Sequence, residues 1–113
     1  MLKEVNTIKG DSQTYRVNQN VKRYSLTDVG FAKTKRGNFI LQRSLDPMDP
    51  YNAKKKLKIS IDGDLKLLDM STTDASGLRT IDIFKNGGNQ EAIDQYHFII
   101  KNLLDREILA INE

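Results

Sequence analysis

NQEAIDQYHFIIKNLLD, residues 89–105, is the stretch that decides the fold class. At 100° per residue, Ala92, Ile93, Tyr96, Ile99, Ile100, Leu103 and Leu104 fall within an arc of about 140°, the apolar stripe of one amphipathic helix. Gly87-Gly88 punctuates the chain before it, and Asn89 is a suitable N-cap. Glu91 and Asp94 suit the positive N-terminal end of the helix dipole. Glu107 would land inside the apolar arc, so the packed helix is expected to stop near Asp105. Leu109 and Ile111 are left for a closing strand or a frayed last turn. His97 lies on the border of the stripe and is expected to be partly buried, whereas Phe98 points roughly opposite it.

Working back from this helix, the sequence reads as strands. Leu78–Phe84 (LRTIDIF) alternates, after a loop at Ser71–Gly77. A hairpin with Gly63-Asp64 as its central turn residues would set Leu57 against Met70, Ile59 against Leu68, and Lys58 against Asp69 on the other face. Moving the turn to Asp62-Gly63 would set Ile59 against Lys66 and waste an apolar position, so the first register is expected. Residues 29–44 form a second expected hairpin, with Phe31 on one arm, Phe39, Ile40 and Leu41 on the other, and Arg36-Gly37-Asn38 at the bend. Asp46-Pro47-Met48-Asp49-Pro50 is an irregular loop, because two prolines three apart cannot lie in a central strand. Segments 14–17 (TYRV) and 21–26 (VKRYSL), rich in β-branched and aromatic residues, read as short strands around the turn Asn18-Gln19-Asn20. Val5 and Ile8 belong to an expected first strand ending at Gly10-Asp11-Ser12. One helix among antiparallel strands makes an α+β layer arrangement, expected to form one domain over residues 1–113.

Composition narrows the chemistry. With no cysteine there are no disulfides or thiolate metal sites, which fits a reducing compartment, and the expected setting is cytoplasmic. The first ten residues, MLKEVNTIKG, hold no apolar run of the signal-peptide kind, and no stretch of the sequence is apolar for long enough to span a bilayer, so no membrane partner is expected. Net charge is +3, split between a basic half (residues 1–58, 13 Lys/Arg against 5 Asp/Glu) and an acidic one (residues 59–113, 5 against 10). Mixing of the two halves in one sheet accounts for the split without a basic binding face.

The catalytic and metal motifs that can be tested fail. His97 is the only histidine, so a soft-ligand zinc or copper site is excluded and any nucleophile–base pair would hang on that one residue. Asp62-Gly63-Asp64 lacks the rest of a calcium-loop frame, and Gly87-Gly88-Asn89 is not followed by the Lys-Ser/Thr of a phosphate loop. No cofactor and no metal are called for. Lys54-Lys55-Lys56 and Lys58, with Tyr15, Tyr24, Phe31 and Phe39, could in principle serve a nucleic acid, and Arg36–Leu41 echoes part of an RNA-recognition strand motif. That motif's second aromatic is missing and the aromatics are explained more cheaply as core. The polar loop at 43–51 can position Arg43, Asp46 and Tyr51 around a small anionic or zwitterionic ligand, with His97 as a fourth candidate.

Gly37-Asn38-Phe39, Arg43-Ser44-Leu45-Asp46-Pro47, Tyr51 and Lys56–Lys58 resemble a small family of unknown function in lactic-acid bacteria and relatives. Ile83-Phe84-Lys85 and Leu104-Asp105-Arg106-Glu107 fit the same pattern, which would cover nearly the whole chain. The resemblance implies strands in two sheets packed around one long C-terminal helix. It also implies an association with sulfur and amino-acid metabolism, cysteine desulfurase genes especially, and it assigns no catalytic residue. The expectation is a non-enzymatic domain that binds a small molecule or a protein partner, accessory to amino-acid or sulfur metabolism. Two alternatives stay open: an enzyme with an unrecognised site around the 43–51 loop, and nucleic-acid binding through the basic N-terminal half. Nothing in the residues sets the oligomeric state.

Overall fold

The computed structural model describes residues 2–46, 54–85 and 90–112. Its elements run β1 (Tyr15–Val17), α1 (Arg23–Val29), β2 (Ala32–Lys33), β3 (Phe39–Ser44), β4 (Lys55–Ile61), β5 (Leu68–Asp74), α2 (Gln90–Asp105) and β6 (Leu109–Ile111). Strands β2-β3-β4-β5 form one antiparallel sheet, and β1 pairs with β6 in a separate two-stranded ribbon. The fold is therefore α+β, with two sheets and a long C-terminal helix.

The period of two along β3, β4 and β5 gives the larger sheet one apolar face. Leu41, Ile59 and Met70 stand in one cross-strand row, and Phe39, Ile61 and Leu68 in the next, all buried. The opposite face carries Gln42, Lys58 and Ser71 in register, with Ser44, Lys56 and Thr73 beside them. The buried face shares one hydrophobic cluster with Leu26 and Val29 of α1, with Tyr15 and Val17 of β1, and with Ala92, Tyr96, Ile99, Ile100 and Leu103 of α2. Ile93 and Leu104 pack at the edge of that cluster, so the helix buries the stripe its periodicity defines.

Helix α2 ends where expected, through a specific cap. The Ile108 N–H donates to Leu103 O and the Glu107 N–H to Leu104 O, while Glu107 adopts a left-handed φ of 58°. These are the two bonds of a Schellman cap, and the side chains of Leu103 and Ile108 are both buried in the core cluster. The chain then enters β6, so Leu109 and Ile111 form the closing strand. Gly87-Gly88 and the N-cap position Asn89 lie outside the described residues.

Four expectations are corrected. Residues 21–26 are not a strand: Arg23–Val29 is helical, and Gly30 (φ 109°) donates to Thr27 O while Phe31 donates to Leu26 O. Leu26 and Val29 supply the buried face, and the Leu26/Phe31 pair closes a second Schellman cap, outweighing the β propensity of Val21 and Tyr24. The β4–β5 register is displaced by two residues, with Ile59 opposite Met70 and Ile61 opposite Leu68. The reason is a longer loop, residues 62–67, in which Asp62 Oδ1 accepts from the Lys66 and Leu67 N–H groups at 2.7 and 2.8 Å. Leu78–Phe84 is not a strand but runs beside β5 with one isolated bridge, Thr73 to Thr80; β5 itself extends to Asp74, and Leu78 is 90% exposed. Val5 and Ile8 likewise belong to no strand, since the N-terminal segment makes isolated bridges. The hairpin over 29–44 is present, with Ala32 opposite Ile40 and Lys33 opposite Phe39.

Candidate functional site

The N-terminal segment joins the two sheets. Lys3 exchanges backbone hydrogen bonds with Leu68 of β5 at 2.9 and 2.7 Å, and Asn6 exchanges them with Tyr15 of β1 at 2.9 and 2.8 Å. The Asn6 side-chain amide adds a bond to Leu68 O at 3.2 Å. Residues 3–6 are thus stitched at both ends, leaving the exposed Glu4 and Val5 between the stitches, at the seam of ribbon and sheet.

A groove of about 420 Å³ opens at this seam. Glu4 and Val5 line it from the N-terminal strap, residues 3–6; Arg16, Val17 and Gln19 line it from β1 and the following turn, Leu65 and Lys66 from the β4–β5 loop, and Asn112 from just beyond β6. A second groove, about 370 Å³, shares Arg16 and Gln19 and continues over Asn18, Asn20 and Ala110. In this second groove Arg16 stands directly opposite Ala110, whose methyl group fills little of the face they share.

The polar groups of the groove divide into those already engaged and those free to take a ligand. Asn112 is engaged, its N–H donating to Thr14 O at 3.0 Å and its side chain to Thr14 Oγ1 at 3.4 Å. The Arg16 guanidinium has no hydrogen bond or ion pair among the described residues, and neither do the side chains of Glu4, Gln19 and Lys66. Leu65 is held at a φ of 61°, a left-handed conformation that a leucine adopts at a cost. The bonds from Asp62 to the neighbouring N–H groups, with the Leu65 N–H donating to Asp62 O at 3.0 Å, hold the loop in that shape. A strained apolar residue, stapled in place, forms one wall of the groove.

Arg43, Asp46 and His97 are placed elsewhere. The Arg43 guanidinium donates to Val29 O, tying β3 to the last carbonyl of α1. Asp46 follows β3, where its N–H donates to Ser44 Oγ and its carbonyl accepts from the same hydroxyl, each at 3.0 Å. His97 is exposed on α2 rather than half-buried, because the helix turns its ring outward, 5.3 Å from the Tyr96 ring centroid. Tyr51 and Pro47–Pro50 lie outside the described residues. Neither groove is lined by Arg43, Asp46 or His97. Of the aromatics considered as stacking faces, Tyr15, Phe31 and Phe39 are core residues, and Tyr24 is 69% exposed.

The groove residues carry little signal in the sequence. Arg16 is one arginine in a short alternating strand, and its small neighbour Ala110 arrives from the other end of the chain. Chemically, the arrangement offers charge and hydrogen bonding without a nucleophile–base pair, and the described residues contain no cluster of three or more His, Asp or Glu suited to a metal. No helix among them is long and apolar enough to cross a membrane.

Comparison with known proteins gives two matches. A solved structure described as a DUF1831 family protein from Lactobacillus plantarum is 38% identical, with a TM-score of 0.90, covering 98% of this chain and 97% of that one. No curated protein matches. The family model for DUF1831, described as "Putative amino acid metabolism", matches residues 1–110, so this chain belongs to the DUF1831 family.

Proposed function

We propose that the chain is a non-enzymatic, cytoplasmic small-molecule-binding domain, accessory to amino-acid metabolism, with the seam groove as its binding site. The observation that carries this reading is the Arg16 guanidinium, which lines both grooves and has no partner among the described residues. Arginine presents a planar fork of donors suited to a carboxylate or phosphate, and a groove of this size is in the range of small-ligand sites. The family description supports the metabolic setting, and the absence of cysteine is compatible with a reducing compartment.

A thermal-shift screen of amino acids, sulfur metabolites and nucleotides tests it. A ligand present at about 100 times its Kd adds roughly 2.7 kcal/mol to the native state. The expected result is stabilisation by at least one compound, lost in Arg16→Ala. No stabilisation by any compound at millimolar concentration, or stabilisation that survives Arg16→Ala undiminished, overturns the proposal.

A further inference from the structure

The charges lining the larger groove point to a ligand class. Among the described lining residues, Arg16 and Lys66 are cationic, Glu4 is anionic, and the remaining polar contributors, Gln19 and Asn112, are neutral amides. All three charged side chains are exposed, and none makes an ion pair with another described residue. The two cations and one anion of the described lining are complemented by a ligand with two anionic groups and one cationic group.

Other classes leave a charge unmet. A phosphate or a simple dicarboxylate would satisfy Arg16 and Lys66 but set a negative charge against Glu4, the juxtaposition that costs affinity in charged interfaces. An aliphatic amino acid would satisfy Glu4 and Arg16 and leave Lys66 without an anion. Resting on the groove being a ligand site, we infer that it takes a free acidic α-amino acid. One carboxylate pairs with the Arg16 fork, the second with the Lys66 ammonium, and the α-ammonium group with Glu4. Val5, Val17 and Leu65 pack against the methylene carbons.

The test is an NMR titration of the full chain with four probes: L-glutamate, L-aspartate, L-leucine and glutarate, the last being glutamate's skeleton without the amine. L-glutamate or L-aspartate is expected to shift the amide signals of Glu4, Val5, Arg16, Gln19, Leu65 and Lys66. Leucine and glutarate should bind more weakly by about tenfold or more, the loss of one charged contact. Glu4→Gln should erase the preference for glutamate over glutarate, Lys66→Gln the preference for glutamate over leucine, and Arg16→Gln should weaken all four. The three positions are exposed, so the variants keep the fold, checked by their unchanged dispersion of amide signals. Glutarate or leucine binding as tightly as both acidic amino acids overturns the ligand class while leaving the groove a binding site. If none of the four shifts the groove signals, the class is overturned too, and the Arg16-dependent thermal-shift screen separately decides whether the groove binds anything else.

Discussion

The Tyr96 hydroxyl donates a 2.7 Å hydrogen bond to Asp11 Oδ2, joining α2 to the N-terminal loop across 85 residues of sequence. Tyr96 is fully buried, with the Phe84 ring edge-on at 6.3 Å, so the bond fixes the depth at which the helix meets that loop. Asp11 also accepts from the Gln13 N–H at 3.0 Å, shaping the turn that leads into β1. The helix, the strap and the ribbon that carries Arg16 are therefore mechanically linked.

Tyr96→Phe removes the donor and keeps the ring. Asp11 is only part-buried and can regain water, so the expected loss is about 1–2 kcal/mol. Urea denaturation checks it: the midpoint should fall with the slope unchanged. An unaltered midpoint would show that the bond adds nothing.

Alkaline pH should weaken the fold through Tyr96 and Tyr15. Burial, then the hydrogen bond to Asp11 and the charges of Asp11 and Tyr15, raise the Tyr96 hydroxyl far above its ordinary 10.0. Burial and then the Asp11 charge raise Tyr15 as well. In the window above 10 the unfolded chain releases these protons while the folded chain retains them. Their contribution is thus intact below pH 10 and is lost as pH rises beyond it, by at most about 1.4 kcal/mol per pH unit for each tyrosine. Urea midpoints measured from about pH 9 to about pH 11 should fall more steeply for the native sequence than for Tyr96→Phe. Parallel curves would contradict this.

Gly63 is required by packing rather than by its own φ. A Cβ at this position would stand 2.7 Å from the Gly37 carbonyl oxygen, where the two hairpin loops meet. Asn38 Oδ1 accepts from the Gly63 N–H at 3.2 Å, and the Arg23 guanidinium donates to Gly63 O at 2.8 Å, so neither loop can withdraw freely. Gly63→Ala should cost roughly 1–3 kcal/mol, the range for overpacking. Thermal unfolding measures it, and an unchanged Tm would mean the loops part without penalty.

Glu107→Gly should raise stability or leave it level. Glycine relieves the left-handed strain of the α2 cap, which is on the order of 1 kcal/mol. It also forfeits an exposed hydrogen bond, 3.0 Å from Asn20 Nδ2 to Glu107 Oε2, and gains entropy in the unfolded chain. Glu107→Val at the same φ should destabilise, because a β-branched residue tolerates this conformation worst. Chemical denaturation of both variants separates the effects; equal midpoints would remove the cap from the account.

The most local patterns were the most legible. Helix α2 shows its stripe within each turn, and Glu107 interrupts it at the residue where the chain turns left-handed. The α1 signal was also present, as Leu26-x-x-Val29-Gly30-Phe31, a buried pair followed by a glycine cap and a capping aromatic, but aromatic and β-branched composition pointed to a strand instead. In the β4–β5 hairpin the faces were legible and the register was not. A shift of two residues returns every side chain to the same face, so alternation cannot choose between the alternatives. Only the hydrogen bonds of Asp62 to Lys66 and Leu67 choose the longer loop.

By itself, then, the sequence determined an α+β chain with one C-terminal amphipathic helix, its buried face and its stopping point. These follow from periods of 3.6 and 2 residues, which are properties of adjacent positions. The tertiary structure decided the register, the separation into sheet and ribbon, and the groove at their seam. Arg16 opposite Ala110, Lys3 on Leu68 and Leu65 beside the strap are meetings of distant segments. No local pattern records such meetings, because they are selected by burial of the whole core at once.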